Sequence, residues 1–298
     1  MAYFKSDSSS IPLYYELHGT KIEDRPIIIF VNGWCLSGQY WAETIERLAS
    51  QYLMLTYDSV GFGRSRGEIE PTYRATIDSE VALLAELVEK LELTLDEKTL
   101  LHVVGHSLGG VIASRYATQL ETRSKLAGLT IINSGSFEEK EQTGNRLIPF
   151  VKIFVATKSL FSLPIIRKAV VGRSIKQPVG QKYESVIVQD LVQAEPRLSL
   201  ELSLSSLEKR NLDLYEKELK DLKAPLLLIV GDRDATIPPK GMYNIKKFKP
   251  ESKLEAFPDC GHLPMLEKPD VFASTLEKHF ALAGSKGDAY LEPNAKKN

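Results

Sequence analysis

A chain of 298 residues, 43% of them hydrophobic, can bury one large core, so its length and composition exclude a mostly disordered protein. Lys and Arg number 38 against 39 for Asp and Glu, and this formal charge of −1 predicts neither nucleic acid nor an anionic membrane as a partner. Two cysteines, Cys35 and Cys260, are too few for a disulfide framework, and we expect two free thiols.

The amino-terminal residues and the longest apolar stretch argue against export and membrane insertion. Residues 1–7 lack the basic segment and apolar core of a secretory signal, which predicts a cytoplasmic protein. Residues 147–171 are largely apolar, but prolines and basic residues interrupt them, among them Pro149, Lys152, Lys158, Pro164 and Arg167. We therefore expect no transmembrane segment.

Apolar runs and amphipathic stretches alternate along most of the chain. Two short strands within residues 2–18 are expected to form an antiparallel edge pair, and residues 26–31 form a β-branched run typical of a strand buried on both faces. The remaining elements are predicted as strands at 52–57, 99–104, 126–133, 224–230 and 253–257, and as helices at about 40–50, 77–93, 108–120, 239–248 and 269–283. This alternation predicts an α/β fold with a mostly parallel sheet.

The alternation stops between the strands that end near Ile132 and begin near Leu226, where about ninety residues show helical patterns only. We interpret residues 136–214 as a helical cap inserted into a core formed by residues 1–135 and 215–298, with residues 285–298 as a flexible tail. The apolar residues of the cap either pack it onto the sheet or line an apolar pocket, and both can hold at once.

The stretch from Gly105 to Gly109 fits the nucleophile elbow, in which a strand turns sharply into a helix and presents a strained central residue. Ser107 is that residue, and glycines stand two positions before and after it, where a Cβ would collide with nearby backbone. The helix that follows directs its first N–H groups at whatever Ser107 attacks.

A serine needs a base and a third group that orients the base. Asp232 and Asp234 follow the predicted strand at 224–230, and His262 follows the next strand. Catalytic groups gather at the carboxyl edge of an open α/β sheet. The chain order Ser, Asp, His is the order of the triad in α/β hydrolases.

Taken together, Gly-His-Ser-Leu-Gly-Gly, Gly-Asp-Arg-Asp-x-x-x-Pro, and Gly-His-Leu-Pro followed by Glu267 resemble the motifs of capped α/β-hydrolase-fold proteins. The chain is similar to the cofactor-independent haloperoxidase-like esterases over nearly its whole length, apart from the cap and the tail. The resemblance implies an eight-stranded, mostly parallel sheet flanked by helices. It assigns the acid to Asp234 and the base to His262, with Asp232 as the second candidate for the acid or as a turn residue.

The resemblance also places the two oxyanion-hole donors at the backbone N–H groups of Leu108 and Trp34. The family usually has His-Gly where this chain has Asn32-Gly33; because the donor is a main-chain group, we expect the hole to survive. The Trp34 side chain either forms a wall of the pocket or packs in the core. The loop at 58–65 resembles the family's Asp-x-x-Gly-x-Gly-x-Ser segment, which supports the scaffold.

Four further histidines are expected to be structural, and the His106 ring is expected to point away from the reacting atom. They are His18, His102, His106 and His279. His102 and His106 flank a strand-to-turn junction and do not share a helical face, so no zinc motif is present. We expect no cofactor and no metal.

These residues predict a serine hydrolase that cleaves a small or medium ester, thioester or lactone with an apolar portion, through an acyl-enzyme. Two alternatives stay open. The same triad serves carbon-carbon bond hydrolases and perhydrolases, and the fold also serves ligand-binding proteins without turnover. An epoxide hydrolase or haloalkane dehalogenase is disfavoured because those relatives place Asp at the elbow. The sequence does not indicate the oligomeric state.

Overall fold

The computed structural model describes residues 2–6, 12–94, 96, 98–136 and 140–284. Eight strands form one sheet in the order β1-β2-β4-β3-β5-β6-β7-β8. Their bounds are β1 Ala2–Lys5, β2 Pro12–His18, β3 Ile27–Val31, β4 Met54–Tyr57, β5 Leu101–His106, β6 Leu126–Ile132, β7 Leu226–Gly231 and β8 Lys253–Phe257. The predicted tail at 285–298 lies outside the described residues.

The sheet is antiparallel only at one edge, where β1 pairs with β2 and β2 with β4. From β4 onward every neighbouring pair is parallel. Every residue of β3, β5 and β7 is buried, as expected for strands covered on both faces. The predicted eight-stranded, mostly parallel sheet is therefore confirmed.

Eleven α-helices lie in the described residues, at α1 Ala42–Leu48, α2 Ile77–Lys90, α3 Leu108–Thr122, α4 Lys140–Thr157, α5 Pro164–Ser174, α6 Gly180–Gln193, α7 Pro196–Leu207, α8 Lys209–Asp221, α9 Lys240–Phe248, α10 Pro264–Glu267 and α11 Pro269–Gly284. In the core, α1 packs against α11 and α2 against α3. None of the helices in these ranges combines the length and apolar character that crossing a bilayer requires.

Most predicted boundaries differ from the observed ones by one to three residues, and two of the differences have a clear local cause. The strand predicted to begin at Tyr52 begins at Met54, because the Tyr52 N–H still donates to the Leu48 carbonyl (3.1 Å) at the end of α1. The helix predicted to end near residue 93 ends at Lys90, and Glu92 just beyond it adopts a φ of 55° that a helix does not allow.

Between β6 and β7 the described chain contains only helices, namely α4 to α8 and a 3-10 turn at Lys158–Ser162. The last of them, α8, continues to Asp221, beyond the end predicted for the cap at residue 214. It is tied to the core, because Tyr215 and Leu219 are buried and Arg115 of α3 donates to the Glu218 carboxylate (2.8 Å). The assignment of residues 136–214 as a separate cap stays a prediction.

The turn from β5 into α3 is packed against backbone on two sides. A Cβ on Gly109 would lie 2.3 Å from the Asn32 carbonyl oxygen and 2.5 Å from the Val31 carbonyl oxygen. A Cβ on Gly105 would lie 2.5 Å from the Gly109 carbonyl oxygen. Both neighbours are main-chain atoms that cannot rotate away, so glycine is required at these positions.

A buried carboxyl lies where α6 meets the core. Asp190 is 5% exposed, and its Oδ2 has no hydrogen-bond partner in the described part of the chain. It faces Ser37 and the ion pair between buried Asp58 and partly exposed Arg64. Burial raises the pKa of Asp190 from 3.8 to about 7, a rise that hydrogen bonding to Ser37 reduces.

Gly109→Ala is expected to lower the free energy of unfolding by about 1 to 3 kcal/mol, because the new methyl group meets fixed carbonyl oxygens. Urea denaturation measures the change. Gly172→Ala in α5 is the matched control: a Cβ there meets nothing within 4 Å, so the control is expected to be neutral or stabilising. Equal stability of the two variants would contradict the packing of the turn.

Stability is expected to fall as the pH rises from about 4 to 7, because folded Asp190 keeps its proton where the unfolded carboxyl is already ionised. One such group changes the free energy of unfolding by at most about 1.4 kcal/mol per pH unit. Asp190→Asn should flatten this slope and be more stable than the wild type at pH 8. Glu80, whose pKa burial also raises to about 7, should supply the slope that remains.

Thermal or urea unfolding across this pH range tests the prediction. Asp24→Asn, which changes an exposed carboxyl in a turn, is the matched control and should keep the wild-type slope. If Asp190→Asn and the wild type lose stability in parallel with rising pH, Asp190 is not protonated in the folded protein over this pH range.

Candidate active site

Ser107 stands between β5 and α3 in a strained backbone conformation. Its φ of 54° and ψ of −125° lie in a region that non-glycine residues rarely adopt. The Ser107 N–H donates to the Ile132 carbonyl at the end of β6 (2.8 Å), which holds the turn against the neighbouring strand. The loop after β3 lies close to it, because a Cβ on Gly33 would lie 3.2 Å from the Ser107 Cβ.

Asp234 and His262 meet in a buried contact beyond the ends of β7 and β8. The His262 Nδ1 lies 2.6 Å from the Asp234 Oδ2, and both side chains are buried. The other oxygen of Asp234 accepts from the backbone N–H groups of Thr236 (2.7 Å) and Ile237 (3.0 Å). The carboxylate is thus fixed on one side by its own loop and directs its second oxygen at the imidazole.

Asp232, the second candidate for the acid, has a different partner. Its Oδ1 accepts from the Cys260 N–H (3.3 Å), and this contact joins the loops after β7 and β8. Of the two carboxylates, only Asp234 contacts His262 among the described residues. This contact suits the alternative role of Asp232 as a residue that stabilises the turn after β7.

The backbone of His262 is held from three sides. Its N–H donates to the Ser174 carbonyl at the end of α5 (2.8 Å). Its carbonyl accepts from the Asn133 side-chain amide (3.0 Å) and from the His106 Nε2 (2.8 Å). Sequence reasoning did not identify Asn133, although an Asn just beyond a buried strand is one of the few residues that tolerate its φ of 45°.

Glu267 is a second residue whose role the sequence left open. Its carboxylate accepts backbone N–H groups from two segments: Gly261 (2.9 Å) and Leu263 (3.1 Å) on either side of His262, and Lys176 (2.7 Å) and Gln177 (2.9 Å) beyond α5. Hydrogen bonds to a charged acceptor are about twice as strong as neutral ones. Glu267 therefore ties the His262 loop to the helical segment above it.

The His106 ring packs against the His262 ring, with centroids 4.6 Å apart. Burial, with a further contribution from the charge of His262, holds the pKa of His106 well below its ordinary value of 6.5. A neutral ring that donates from Nε2 to a carbonyl carries no proton on Nδ1. His106 therefore positions His262 as a neutral donor and adds no charge beside it.

The loop after β3 is fixed by Asn32, where the family resemblance leads one to expect His. The Asn32 amide donates to the Tyr57 carbonyl, and its oxygen accepts from Trp41 Nε1 (2.7 Å). The Trp34 indole donates to the Ser199 carbonyl of α7 (2.8 Å), and its ring contacts Phe154 of α4 at 5.3 Å between centroids. Trp34 thus packs against the helical segment beside Ser107.

The structure brings the predicted residues to one edge of the sheet without completing every contact. Leu108 is the first residue of α3, where an N–H group has no partner within the helix. The hydrogen bonds of the described residues join Asp234 to His262 and include none from the Ser107 hydroxyl. Catalytic hydrogen bonds are often long before substrate binds and tighten in the complex.

The remaining predicted side chains have other contacts. His102 contacts Thr130, His279 and Phe280, and His18 contacts Thr56. Both cysteines are buried and free, and burial raises the pKa of Cys35 to about 12. The described residues contain no group of three or more His, Cys, Asp or Glu side chains arranged to hold a metal ion.

A cavity of about 600 Å³ opens near the residues that precede β3 and β5, among them Pro26 and Leu100. Because Ser107 follows the end of β5, this cavity lies at the opposite edge of the sheet from Ser107. The candidate site is instead at the edge that carries Ser107, Asp234 and His262, because these are the residues with the predicted chemistry.

Comparison with known proteins gives the family. Residues 28–275 match the model of the Alpha/beta hydrolase family. A pimeloyl-[acyl-carrier protein] methyl ester esterase of Proteus mirabilis is 25% identical over 266 residues, which cover 89% of this chain and 95% of that protein.

Solved structures show the same fold. An esterase from Thermogutta terrifontis superimposes with a TM-score of 0.72 at 24% identity, covering 92% of this chain and 94% of that one. A bromoperoxidase from Bacillus anthracis superimposes with a TM-score of 0.74 at 22% identity, covering 91% of this chain and 96% of that one. The predicted fold agrees with these structures, and the predicted enzyme class agrees with the Proteus mirabilis relative, which is named as an esterase, and with the family match. Because its family match extends from β3 into α11, the chain belongs to the alpha/beta hydrolase family.

Proposed function

We propose that this protein hydrolyses carboxylic esters through Ser107, His262 and Asp234. The observation that carries the proposal is the buried 2.6 Å contact between His262 Nδ1 and Asp234 Oδ2, at the sheet edge where Ser107 occupies its strained turn. A carboxylate on Nδ1 fixes the tautomer that leaves Nε2 free to accept a proton. The relatives named as esterases support the same reaction.

In the proposed first step, the Ser107 oxygen attacks the ester carbonyl carbon and His262 Nε2 takes the serine proton. The carbonyl π electrons move onto its oxygen, and the N–H groups of Leu108 and Trp34 donate to this oxyanion. Loss of one such donor in a serine hydrolase costs about 10² to 10³ in rate. As the oxyanion collapses, the C–O bond to the alcohol breaks and His262 returns the proton to the departing alkoxide.

Water then completes the cycle. The water oxygen attacks the acyl carbon of the acyl-enzyme while His262 accepts a proton from this water. The second oxyanion then collapses, and the bond between the acyl carbon and the Ser107 oxygen breaks. The proton passes to the Ser107 oxygen, which restores the starting state. Each turnover yields one acid and one alcohol, and the mechanism uses neither a cofactor nor a metal.

Aromatic side chains near Ser107 support the proposed substrate class. Trp34, Phe154 and Phe161 form a continuous aromatic series, with centroid distances of 5.3 and 4.6 Å between successive rings. Apolar walls with a few directed polar groups are typical of small-molecule sites. We therefore propose a small or medium ester with an apolar portion, and we assign residues 136–214 as the cap that shapes its pocket.

The two neighbouring carboxylates provide a sharp test. Asp234→Asn should lower kcat for a p-nitrophenyl ester by about 10³-fold to 10⁴-fold, because an amide at this position favours the wrong histidine tautomer. Asp232→Asn is the matched control, since it changes the same functional group two residues away in a contact that does not involve His262. Its kcat should stay close to that of the wild type.

Initial rates over a range of ester concentrations separate kcat from KM, and circular dichroism verifies that both variants fold. A large loss of kcat in Asp232→Asn with a retained rate in Asp234→Asn would reverse the assignment. Loss of neither would show that the triad does not catalyse the reaction.

A further inference from the structure

The charges of this chain are strongly segregated although their sum is nearly zero. Residues 146–183, here called the basic segment, contain eight Lys or Arg and no Asp or Glu. Since the formal charge of the whole chain is −1, the remaining residues carry a net charge of −9. The basic segment extends from α4 through the turn at Lys158–Ser162 and α5 to α6.

Exposed apolar side chains concentrate in the same segment. Five large ones protrude within sixteen residues, with exposed fractions of 53% for Phe150, 64% for Ile153, 46% for Leu160, 51% for Leu163 and 87% for Ile165. Single exposed apolar residues are ordinary, but a contiguous group marks an interaction site.

The basic segment contains few ionic contacts in the part of the chain that the structure describes. Among the described residues, none of the eight forms a salt bridge, whereas later helices do contain them, as between Arg197 and Glu201. Lys158 alone of the eight is buried, where it donates to the Ala194 carbonyl. Six of the other seven are exposed and Arg167 is half-buried.

We propose that the basic segment docks this protein onto an anionic lipid surface. Protruding Ile, Leu and Phe side chains enter the boundary between headgroups and acyl chains, while surrounding Lys and Arg attract acidic headgroups. The net negative charge of the remaining residues is repelled by the same surface and orients the molecule with the basic segment toward it.

A path of aromatic contacts connects this face with the candidate active site. Exposed Phe150 contacts Phe154 at 6.2 Å between centroids, and Phe154 contacts Trp34 at 5.3 Å. Trp34 follows Gly33, which lies against Ser107. Docking would therefore place the bilayer beside the route that an apolar ester takes to Ser107.

The prediction that no anionic membrane is a partner rested on the net charge, which averages over this asymmetry. The basic segment is visible in the sequence when charged residues are counted separately for each part of the chain. The structure adds the exposure of the five apolar side chains, which the pattern of α4 and α5 does not reveal by itself.

Vesicle co-sedimentation tests the proposal, using phosphatidylcholine vesicles with and without one quarter phosphatidylglycerol. The wild type should bind the anionic vesicles at low salt, bind neutral vesicles weakly, and lose affinity as salt rises. Ile153→Asp/Ile165→Asp should lower the partition coefficient by at least about tenfold. Tyr243→Asp/Val271→Asp, which changes exposed apolar residues elsewhere by the same charge, is the matched control and should bind like the wild type.

Binding is also measured with Ser107→Ala, which should sediment like the wild type, so the result does not depend on ester hydrolysis. Absence of wild-type binding at low salt would overturn the proposal, as would equal loss in the control pair. A concentration-dependent dimer in light scattering that Ile153→Asp/Ile165→Asp abolishes, without vesicle binding, would assign the face to a second copy of the chain instead.

Discussion

The buried hydrogen bond between Asp234 and His262 is the constraint around which the site is built. It joins loops after two different strands, so it forms only if β7 and β8 are parallel neighbours that end at the same level. Asn133 at the end of β6 extends the same arrangement, because its side chain donates to the His262 carbonyl and accepts from the Gly231 N–H (2.8 Å). The order of the three parallel strands β6, β7 and β8 thereby determines where the imidazole lies.

The helical segment between β6 and β7 completes this arrangement from above. The Ser174 carbonyl accepts from the His262 N–H, and Glu267 links the His262 loop to the residues that follow α5. Trp34 makes the corresponding contact from the loop after β3, by donating to Ser199 of α7. A displacement of these helices would therefore also shift the loop that carries His262. The helical segment and this loop are structurally coupled.

The sequence predicts the elements of the core well because their signals are local. The β-branched run Ile27–Val31 by itself predicts a buried strand. The two glycines around Ser107 likewise indicate that backbone segments approach closely there. The contacts of Asn133, His106 and Glu267 could not be predicted in this way, since each joins residues far apart in the chain. Net charge is likewise a poor guide to the surface, because a sum over 298 residues conceals eight basic residues within positions 146–183.

The central claim is that Ser107 is a nucleophile activated by His262, and covalent labelling tests it most directly. Intact-mass analysis after exposure to a fluorophosphonate should show one adduct on the wild type and none on Ser107→Ala, with ester turnover lost in proportion to the adduct. A folded wild type that stays unlabelled, or a Ser107→Ala variant that gains the same adduct, would contradict the account.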